Sequence, residues 1–184
     1  MFSANFRFDE NQTTIKFPCD EEYLSVRFNE LGVADKLKTS QYMTGTDYTP
    51  LKRLITDFVD VDELNFLAKR LDSFDNNELN IFEAVCEARL SRSVMDMINV
   101  TYNINNYTLV QDMSSMESIG RTHFKAVHIG WNPGEMENAD LAKIGRELIH
   151  SGKGKVTEKG MLFEHEGAKF INEYDGHNFP EYLY

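Results

Sequence analysis

Residues 60–120 carry one helix-start signature four times, and this repeat limits the possible folds more than any other feature of the chain. In a capping box, the first side chain accepts a hydrogen bond from a free backbone N–H, and an acid three residues later reaches back. The four pairs are Asp60 and Glu63, Asp75 and Glu78, Ser93 and Asp96, and Ser114 and Glu117. The repeat therefore predicts a centre built from short helices with well-defined starts.

The carboxylates of this segment allow two interpretations. Anions are stabilised at the positive end of the helix dipole, so local helix stability is one sufficient explanation. The other is a negative surface for a basic partner. Thirty Asp plus Glu against nineteen Lys plus Arg give a formal charge of −11, and residues 51–120 hold twelve acids against six bases. This balance argues against a broad basic face for nucleic acid or an anionic membrane.

The sequence predicts an α+β protein of three domains, of which residues 1–50 form the first. We expect a strand near 13–17, a helix over 20–31 and a strand near 42–48. Gly32 suits the left-handed stop of that helix. The N-terminal domain is therefore a small α+β unit.

Residues 51–106 are predicted to form a central acidic helical domain. Pro50 suits the first turn of a helix, and apolar residues then recur at helical spacing from Val61, from Leu79 and from Val94. Short links between such helices predict antiparallel neighbours in a compact bundle. The stretch 103–106, Asn-Ile-Asn-Asn, supplies the turn chemistry that ends it.

Residues 107–184 are predicted to form a C-terminal α+β domain that ends in an aromatic tail expected to dock on it. Its expected elements, in order, are a strand at 107–111, a helix at 116–124, a loop at Asn132-Pro133-Gly134, a helix at 139–150 and a hairpin at 155–165.

No motif in the sequence predicts catalysis, a metal or a cofactor. The five histidines show no ligand spacing, and His165, between two glutamates on a predicted strand, is expected at the surface. The run 152–155, Gly-Lys-Gly-Lys, lacks the phosphate-loop spacing and follows a helix, so it indicates a flexible loop. A hydrolase or transferase would need ionisable groups that converge in a pocket.

The sequence also predicts a cytoplasmic protein. Cys19 and Cys86 form no Cys-x-x-Cys pair and are expected to be reduced, with Cys86 in an apolar helical stripe. No leader-like segment is visible at the N-terminus, and no apolar run approaches the roughly 20 residues that a membrane-spanning helix needs.

Several segments carry a family resemblance in their order and spacing. In the centre they are Leu-Asn-Phe-Leu-Ala-Lys-Arg-Leu at 64–71, Ser-Val-Met-Asp-Met-Ile-Asn at 93–99 and Asn-Ile-Asn-Asn-Tyr at 103–107. Farther on they are Ser-Ile-Gly-Arg at 118–121, Ile-Gly-Arg-Glu at 144–147 and Gly-Lys-Val-Thr-Glu-Lys-Gly at 154–160. Over about residues 55–165, the chain resembles the ArdA antirestriction family.

This resemblance implies an elongated chain of three small domains that forms a homodimer end to end. It further implies a non-catalytic inhibitor, carried on conjugative plasmids and transposons, whose carboxylates imitate DNA phosphates. The implied partner is the DNA-binding groove of a type I restriction–modification enzyme, with no direct binding to nucleic acid or membrane. The alternative is a non-catalytic interaction module of a mobile element that has an ArdA-like fold but weak mimicry.

Carried onto this chain, the resemblance gives twelve candidate phosphate substitutes. They are Asp57, Asp60, Asp62, Glu63, Asp72, Asp75, Glu78, Glu83, Glu87, Asp96, Asp112 and Glu117. Six bases share the same stretch and would have to lie away from the mimic surface or be paired. They are Lys52, Arg53, Lys69, Arg70, Arg89 and Arg92.

Overall fold

A computed structural model of the chain describes residues 1–33, 39–128 and 130–180, and it divides them into two compact units. The first unit comprises 1–75, 91–101 and 172–180, and the second comprises 76–90 and 102–171, without the undescribed residue 129. Both contain helices and strands, which confirms the predicted α+β class.

This division differs from the three predicted domains. The predicted central bundle, 51–106, does not form one compact unit, because its middle helix belongs to the second unit and the helices on either side belong to the first. The physical reason is long-range packing. The middle helix covers strands that come after residue 106, and short links alone could not reveal this.

An antiparallel four-stranded sheet forms the base of the first unit. Its strands are β1 (Phe2–Phe8), β2 (Asn11–Phe17), β3 (Ser40–Thr46) and β4 (Phe58–Asp60), in the order β2-β1-β3-β4. The sequence predicted β2 and β3 but neither β1 nor β4. In β1, every second side chain is buried, with Phe2 at 5% exposure and Ala4 and Phe6 at 0%, as expected for a strand with one face on a core.

Three helices complete the first unit, and all three begin near their predicted positions. They are α1 (Glu21–Leu31), α2 (Val61–Asp72) and, later in the chain, α4 (Val94–Thr101). Gly32 ends α1 with a φ of 76°, as predicted. The helix predicted after Pro50 is a 3₁₀ turn at Thr49–Leu54. Helix α1 packs on β2, and α2 packs on α4, which buries Leu64, Leu67 and Met97 completely.

Two asparagine side chains tie distant segments of the first unit to its helices. The Asn65 amide accepts from Cys19 N at 2.8 Å and donates to Cys19 O at 2.9 Å. The Asn99 amide makes the same pair of bonds with Tyr174, both at 2.9 Å. Each amide therefore pairs with a main-chain segment as a neighbouring strand would, and the second one fixes 172–180 to α4.

The aromatic tail docks on the first unit as far as the structure describes it. Tyr174 is buried, and the Phe179 ring stacks on Phe66 with ring centroids 4.7 Å apart. The rest of the tail, 181–184, lies outside the described residues. Docking was predicted on the C-terminal domain, so the position is a correction: Phe66 of α2 provides the apolar platform.

The second unit contains a three-stranded antiparallel sheet covered by helices. Its strands are β5 (Tyr107–Val110), β6 (Lys155–Thr157) and β7 (Gly160–Glu164), in the order β5-β7-β6, and its helices are α3 (Asn76–Arg89), α5 (Met116–Val127), α6 (Pro133–Asn138) and α7 (Leu141–His150). Helix α3 packs on all three strands, and α5 packs on β5 and α7. The predicted hairpin is confirmed as β6 and β7.

Helices α5 and α7 cross at two glycines in close contact. A Cβ atom on Gly120 would lie 1.8 Å from the carbonyl oxygen of Leu141, and one on Gly145 would lie 1.9 Å from that of Met116. Only glycine allows this approach, because any side chain would collide with main chain that cannot move aside. Both glycines belong to segments that carry the family resemblance.

One predicted helix start and one predicted loop require correction. Ser115, not Ser114, caps α5, because its extended backbone points its hydroxyl at Ser118 N, 3.0 Å away. The predicted loop at 132–134 is wrong, since Asn132 and Glu135 form a full capping box that starts α6 at Pro133.

Among the described helices, none is both long and apolar enough to span a membrane.

Candidate functional site

Acidic side chains gather where two helices of the first unit begin. Asp20 caps α1 by accepting from Tyr23 N at 2.8 Å, and Asp60 caps α2 by accepting from Asp62 N at 2.8 Å. The bond pair between Asn65 and Cys19 holds the start of α1 against α2. We call the surface formed by Asp20, Glu21, Glu22, Asp60 and Asp62 the acidic surface.

A cavity of about 700 Å³ lies within this region. Asp20, Glu21 and Asp62 contribute its acidic lining, Phe66 and Phe179 contribute its apolar lining, and Lys69 contributes one cation. The lining of the cavity therefore combines carboxylates with aromatic rings. Such a lining favours a cationic partner over an anionic one.

The carboxylates of the acidic surface act on one another electrostatically. The pKa of Asp62 is raised, first by partial burial, then by the charge of Asp60 and by that of Glu21, while Lys69 opposes the shift. Like charges held close together raise each other's free energy, and a cationic partner would relieve this repulsion. The charges of acids from both helix starts therefore act on Asp62.

Glu63 differs from its neighbours because it contacts the tail. Its half-buried carboxylate accepts a hydrogen bond from the Tyr174 hydroxyl. Burial is the main cause of its raised pKa, and this hydrogen bond opposes the shift. A capping box would also need a hydrogen bond from the Asp60 N–H to the Glu63 carboxylate, and the described residues do not form it. Glu63 therefore anchors the tail and does not close a capping box.

The other predicted carboxylates of the first unit lie on separate elements. Asp57 precedes β4, Asp72 is the last residue of α2, and Asp75 precedes α3. All three are exposed. Asp96 lies in the first turn of α4, where its carboxylate accepts from Arg92 N at 3.2 Å and its own N–H bonds to Ser93. The third helix-start pair is thus confirmed as a cap.

The predicted carboxylates on α3 belong to the second unit, and two of them contact its hairpin. Glu83 forms an ion pair with Lys159 at 2.7 Å, and Glu87 accepts from Glu158 N at 2.9 Å. Glu78 is half-buried in the first turn of the helix. Glu83 and Glu87 therefore hold the turn between β6 and β7 on α3.

Asp112 and Glu117 also have partners within the second unit. Asp112 accepts from Ser114 N at 2.9 Å and from the Ser118 hydroxyl. Hydrogen bonds from Ser114 and Ser118 lower its pKa to about 2. Glu117 forms an ion pair with Arg121 at 2.8 Å. Both acids contribute to the start of α5.

The six bases of the same stretch have different environments. Arg70 donates to Thr101 at 3.2 Å, and Arg89 stacks on Phe170. Lys69, by contrast, lies in the acidic cavity. The remaining three are exposed, and they are Lys52, Arg53 and Arg92. Mimicry requires these bases to lie away from the mimic surface or to be paired. Arg70 and Arg89 meet this requirement, but Lys69 does not.

The two units differ in charge. The segments of the first unit, counted over the full sequence, hold eighteen acids and ten bases, whereas those of the second hold twelve and nine. Seven of the twelve predicted carboxylates belong to the first unit and five to the second. Most of the excess negative charge therefore lies in the unit that carries the acidic surface.

The sequence prediction missed the contribution of α1 to this surface. Asp20, Glu21 and Glu22 are three successive acids at a helix start, and that signal was visible. Their proximity to Asp62 was not visible, because it depends on the contact between Asn65 and Cys19, 46 residues apart.

A second polar cluster joins two histidines in the second unit. The Thr108 hydroxyl lies 3.1 Å from His123 Nδ1 and 2.9 Å from His165 Nε2. His165 is half-buried, so its predicted surface position is wrong. It immediately follows β7, and its backbone N–H donates to the Asn106 carbonyl oxygen, which places the ring beside Thr108 of β5.

We predict that this cluster makes the second unit less stable in mild acid. Burial disfavours the charged ring, so the pKa of His123 and that of His165 both lie below the ordinary 6.5, and His165 and His128 add to the shift of His123. The two rings bind protons more readily in the unfolded chain than in the folded one. Their contribution to the stability of the second unit is therefore complete above pH 6.5 and is lost as the pH falls below 6.5.

The measurement is urea unfolding followed by the fluorescence of the single tryptophan, Trp131, which belongs to the second unit. Between pH 8 and pH 5.5 the midpoint should fall by roughly 0.5 M. The double variant His123→Gln/His165→Gln should lose most of this pH dependence, and His150→Gln should keep it. Equal slopes for the wild type and the double variant would contradict the prediction.

The two cysteines are in environments that do not favour a reactive thiolate. Cys86 is buried, and the pKa of Cys19 is raised, mainly by burial and then by the charge of Asp20, which disfavours the nucleophilic thiolate. In the part of the chain that the structure describes, no three His, Cys, Asp or Glu side chains are arranged to hold a metal ion.

Comparison with known protein families finds no match for this chain, and a search of curated proteins finds none either.

Proposed function

We propose that this protein is a non-catalytic antirestriction inhibitor whose acidic surface binds the DNA-binding groove of a type I restriction–modification enzyme and competes with DNA. The observation that carries the proposal is the convergence of two acid-rich helix starts, with Asp62 close enough to Asp60 and Glu21 for their charges to raise its pKa. A groove that binds DNA presents Lys and Arg to phosphates, and this surface complements it.

The energetic argument rests on charges that the fold holds together. Duplex DNA carries one charge per about 1.7 Å of axis, so a decoy needs carboxylates that remain close despite their repulsion. The caps at Asp20 and Asp60 are fixed by backbone hydrogen bonds, and Asn65 fixes the two starts to each other. Little side-chain entropy is then lost when the groove binds these acids.

The proposal assigns mimicry to the first unit. In the second unit, Glu83 and Glu117 form ion pairs, and Asp112 is bound by two serines. A carboxylate that already has an internal partner gains less from a cation in the groove. Of the twelve candidate residues, we therefore favour the exposed Asp57, Asp62 and Asp72 as contacts, together with the α1 acids Glu21 and Glu22. Asp60 has internal partners, since it caps α2 and accepts from the Thr39 hydroxyl, and its role is to add negative charge beside Asp62.

The alternative is an interaction module of a mobile element that has an ArdA-like fold but weak mimicry. Lys69 favours this alternative, since it lies in the acidic cavity beside Asp62 and reduces the negative charge there. Such a module would bind its partner through the aromatic lining of the cavity, formed by Phe66 and Phe179. Its affinity would then depend little on salt.

The proposal includes a homodimer, an elongated arrangement of small domains and a cytoplasmic location, all taken from the family resemblance. Sedimentation velocity tests the dimer, and small-angle X-ray scattering tests the elongation. The location follows from the target, because the proposed enzymes act on DNA in the cytoplasm.

The decisive measurement is binding to a purified type I methyltransferase at increasing salt. We expect the triple variant Glu21→Gln/Glu22→Gln/Asp62→Asn to bind roughly ten-fold more weakly at low salt, and the salt dependence of its affinity to be shallower. The reason is the loss of three charges that meet basic groove residues.

The matched control neutralises three exposed acids of the second unit, in Glu137→Gln/Glu147→Gln/Glu166→Gln. This control should bind within about two-fold of the wild type. Equal losses in the two triple variants would reject the acidic surface as the contact. Wild-type affinity that does not change with salt would reject groove mimicry itself.

A further inference from the structure

A second cavity, of about 420 Å³, lies in the second unit and is basic, although the protein as a whole is acidic. Arg89 at the end of α3, Tyr107 at the start of β5, and Lys153 and Lys155 near the start of β6 line it. Glu164 is its one acidic lining residue in the described part of the chain. None of these residues belongs to the acidic surface, so the inference does not depend on the proposed function.

The three cations of this cavity lack carboxylate partners. Among the described residues, none of Arg89, Lys153 and Lys155 has a carboxylate oxygen within 4.0 Å. Other cations of the same unit do form ion pairs, as Lys159 does with Glu83 and Arg121 does with Glu117. Three neighbouring unpaired cations repel one another, and an anion between them would remove that repulsion.

Arg89 stacks on Phe170 and has the Tyr107 hydroxyl as a hydrogen-bonding neighbour. Its guanidinium carbon lies 3.8 Å from the centre of the Phe170 ring. Stacking uses the face of the planar group and leaves the N–H donors at its edge. A planar fork of donors with a fixed orientation is well suited to the oxygens of a phosphate.

Tyr107 provides a second donor beside Arg89. The residue is 5% exposed, and the Arg89 guanidinium is the hydrogen-bonding neighbour of its buried hydroxyl among the described residues. Burial, and then the charge of Glu164, raises the pKa of Tyr107, while the charge and the hydrogen bonding of Arg89 oppose this. Because a guanidinium cannot accept a hydrogen bond, the hydroxyl hydrogen has no acceptor there, and a ligand oxygen would supply one.

The segment that carries the two lysines, predicted from the sequence to be a flexible loop, packs on β7 at Gly154. A Cβ atom on Gly154 would lie 2.8 Å from both Met161 Sδ and the Phe163 ring, so glycine lets the loop approach β7 closely. Gly152, at a φ of 66°, provides the turn after α7. The two glycines thereby place Lys153 and Lys155 beside Arg89 and Tyr107, so Gly-Lys-Gly-Lys is a packed turn that presents lysine side chains.

We propose that this cavity binds the phosphate group of a small molecule, with Arg89, Lys153 and Lys155 neutralising its charge and the Tyr107 hydroxyl donating to one of its oxygens. A phosphate dianion matches the three cations better than a single carboxylate, since Glu164 already offsets one positive charge. The volume lies within the usual range for small-ligand sites. Free phosphate and a phosphate monoester share this chemistry.

The test is calorimetric titration of the full chain at low ionic strength with inorganic phosphate, and separately with adenosine monophosphate and with acetate. Wild type should bind inorganic phosphate with a Kd of about 1 mM or lower, and acetate at least about ten-fold more weakly. The variant Arg89→Gln/Lys153→Gln should lose phosphate binding, and Tyr107→Phe, which keeps the ring, should weaken it by about ten-fold.

The matched control is Arg146→Gln/Lys169→Gln, which removes two exposed cations of the same unit outside this cavity. The control should bind phosphate as the wild type does. Absence of wild-type binding at about 10 mM phosphate, or equal losses in the two double variants, would overturn the proposal. Tighter binding of the monophosphate would identify a phosphate monoester as the ligand, and equal binding would identify free phosphate.

Discussion

Replacing Gly120 by alanine should destabilise the second unit by about 3 kcal/mol, the largest stability effect that we expect from a single methyl group in this protein. A helical Gly→Ala change normally stabilises by up to about 1 kcal/mol. Here the new Cβ would lie 1.8 Å from the Leu141 carbonyl oxygen, so α5 and α7 would have to separate. Separation would expose the core around Ile119 and Phe163 to water.

The measurement is again the urea midpoint from Trp131 fluorescence. Gly145→Ala should have a similar cost, and the double variant should cost less than the sum because both methyl groups disturb one crossing. Gly134→Ala is the matched control: this glycine is exposed in α6, and a Cβ there would meet only Asn132 Oδ1, at 3.3 Å. An unchanged midpoint for Gly120→Ala would mean that the helices cross farther apart than described.

Asn99→Leu should release the tail from the first unit, which is the second large effect that we expect. Leucine has a similar size but cannot bond, so the backbone N–H and C=O of Tyr174 would lose their shared partner in a buried place. Leaving two buried main-chain groups unsatisfied costs about 3 kcal/mol. The rings of Tyr174 and Phe179 should then leave Phe66.

Hydrogen–deuterium exchange of the segment 172–180 checks this prediction. The Tyr174 amide should exchange roughly 100-fold faster in the variant, as a loss of this size implies for local opening. Asn29→Leu, at an exposed position on α1, is the matched control and should leave the segment protected. Unchanged protection of Tyr174 in Asn99→Leu would show that stacking, not the amide, holds the tail.

Local signals predicted much of the secondary structure. The caps at Asp20, Asp60 and Ser93 and the stop at Gly32 are fixed by neighbouring residues, so α1, α2 and α4 were predictable. Strand β4 was not, because it has only three residues and exists by pairing with β3. The short α6 was missed because Asn-Pro-Gly is also typical of a loop, and only the Glu135 side chain completes its cap.

Long-range contacts account for what the sequence could not predict. The assignment of α3 to the second unit depends on strands that follow it by 18 residues or more. The acidic surface depends on the bond pair between Asn65 and Cys19, and the basic cavity depends on Arg89 meeting a loop more than 60 residues later. The residue types predicted a negative surface for a basic partner, but they did not predict that α1 would supply some of its acids.

The first unit is assembled from three separated stretches of chain, and this has a consequence for biosynthesis. A ribosome makes residues 1–75 and 91–101 well before it makes 172–180, so Phe66 and Asn99 must wait for their partners while residues 102–171 are translated. During that interval Phe66 lacks its stacking with Tyr174 and Phe179, and Asn99 lacks its two bonds to Tyr174. Completion of the first unit is therefore a late event, and slowing translation after residue 101 should prolong its susceptibility to proteases and its dependence on chaperones.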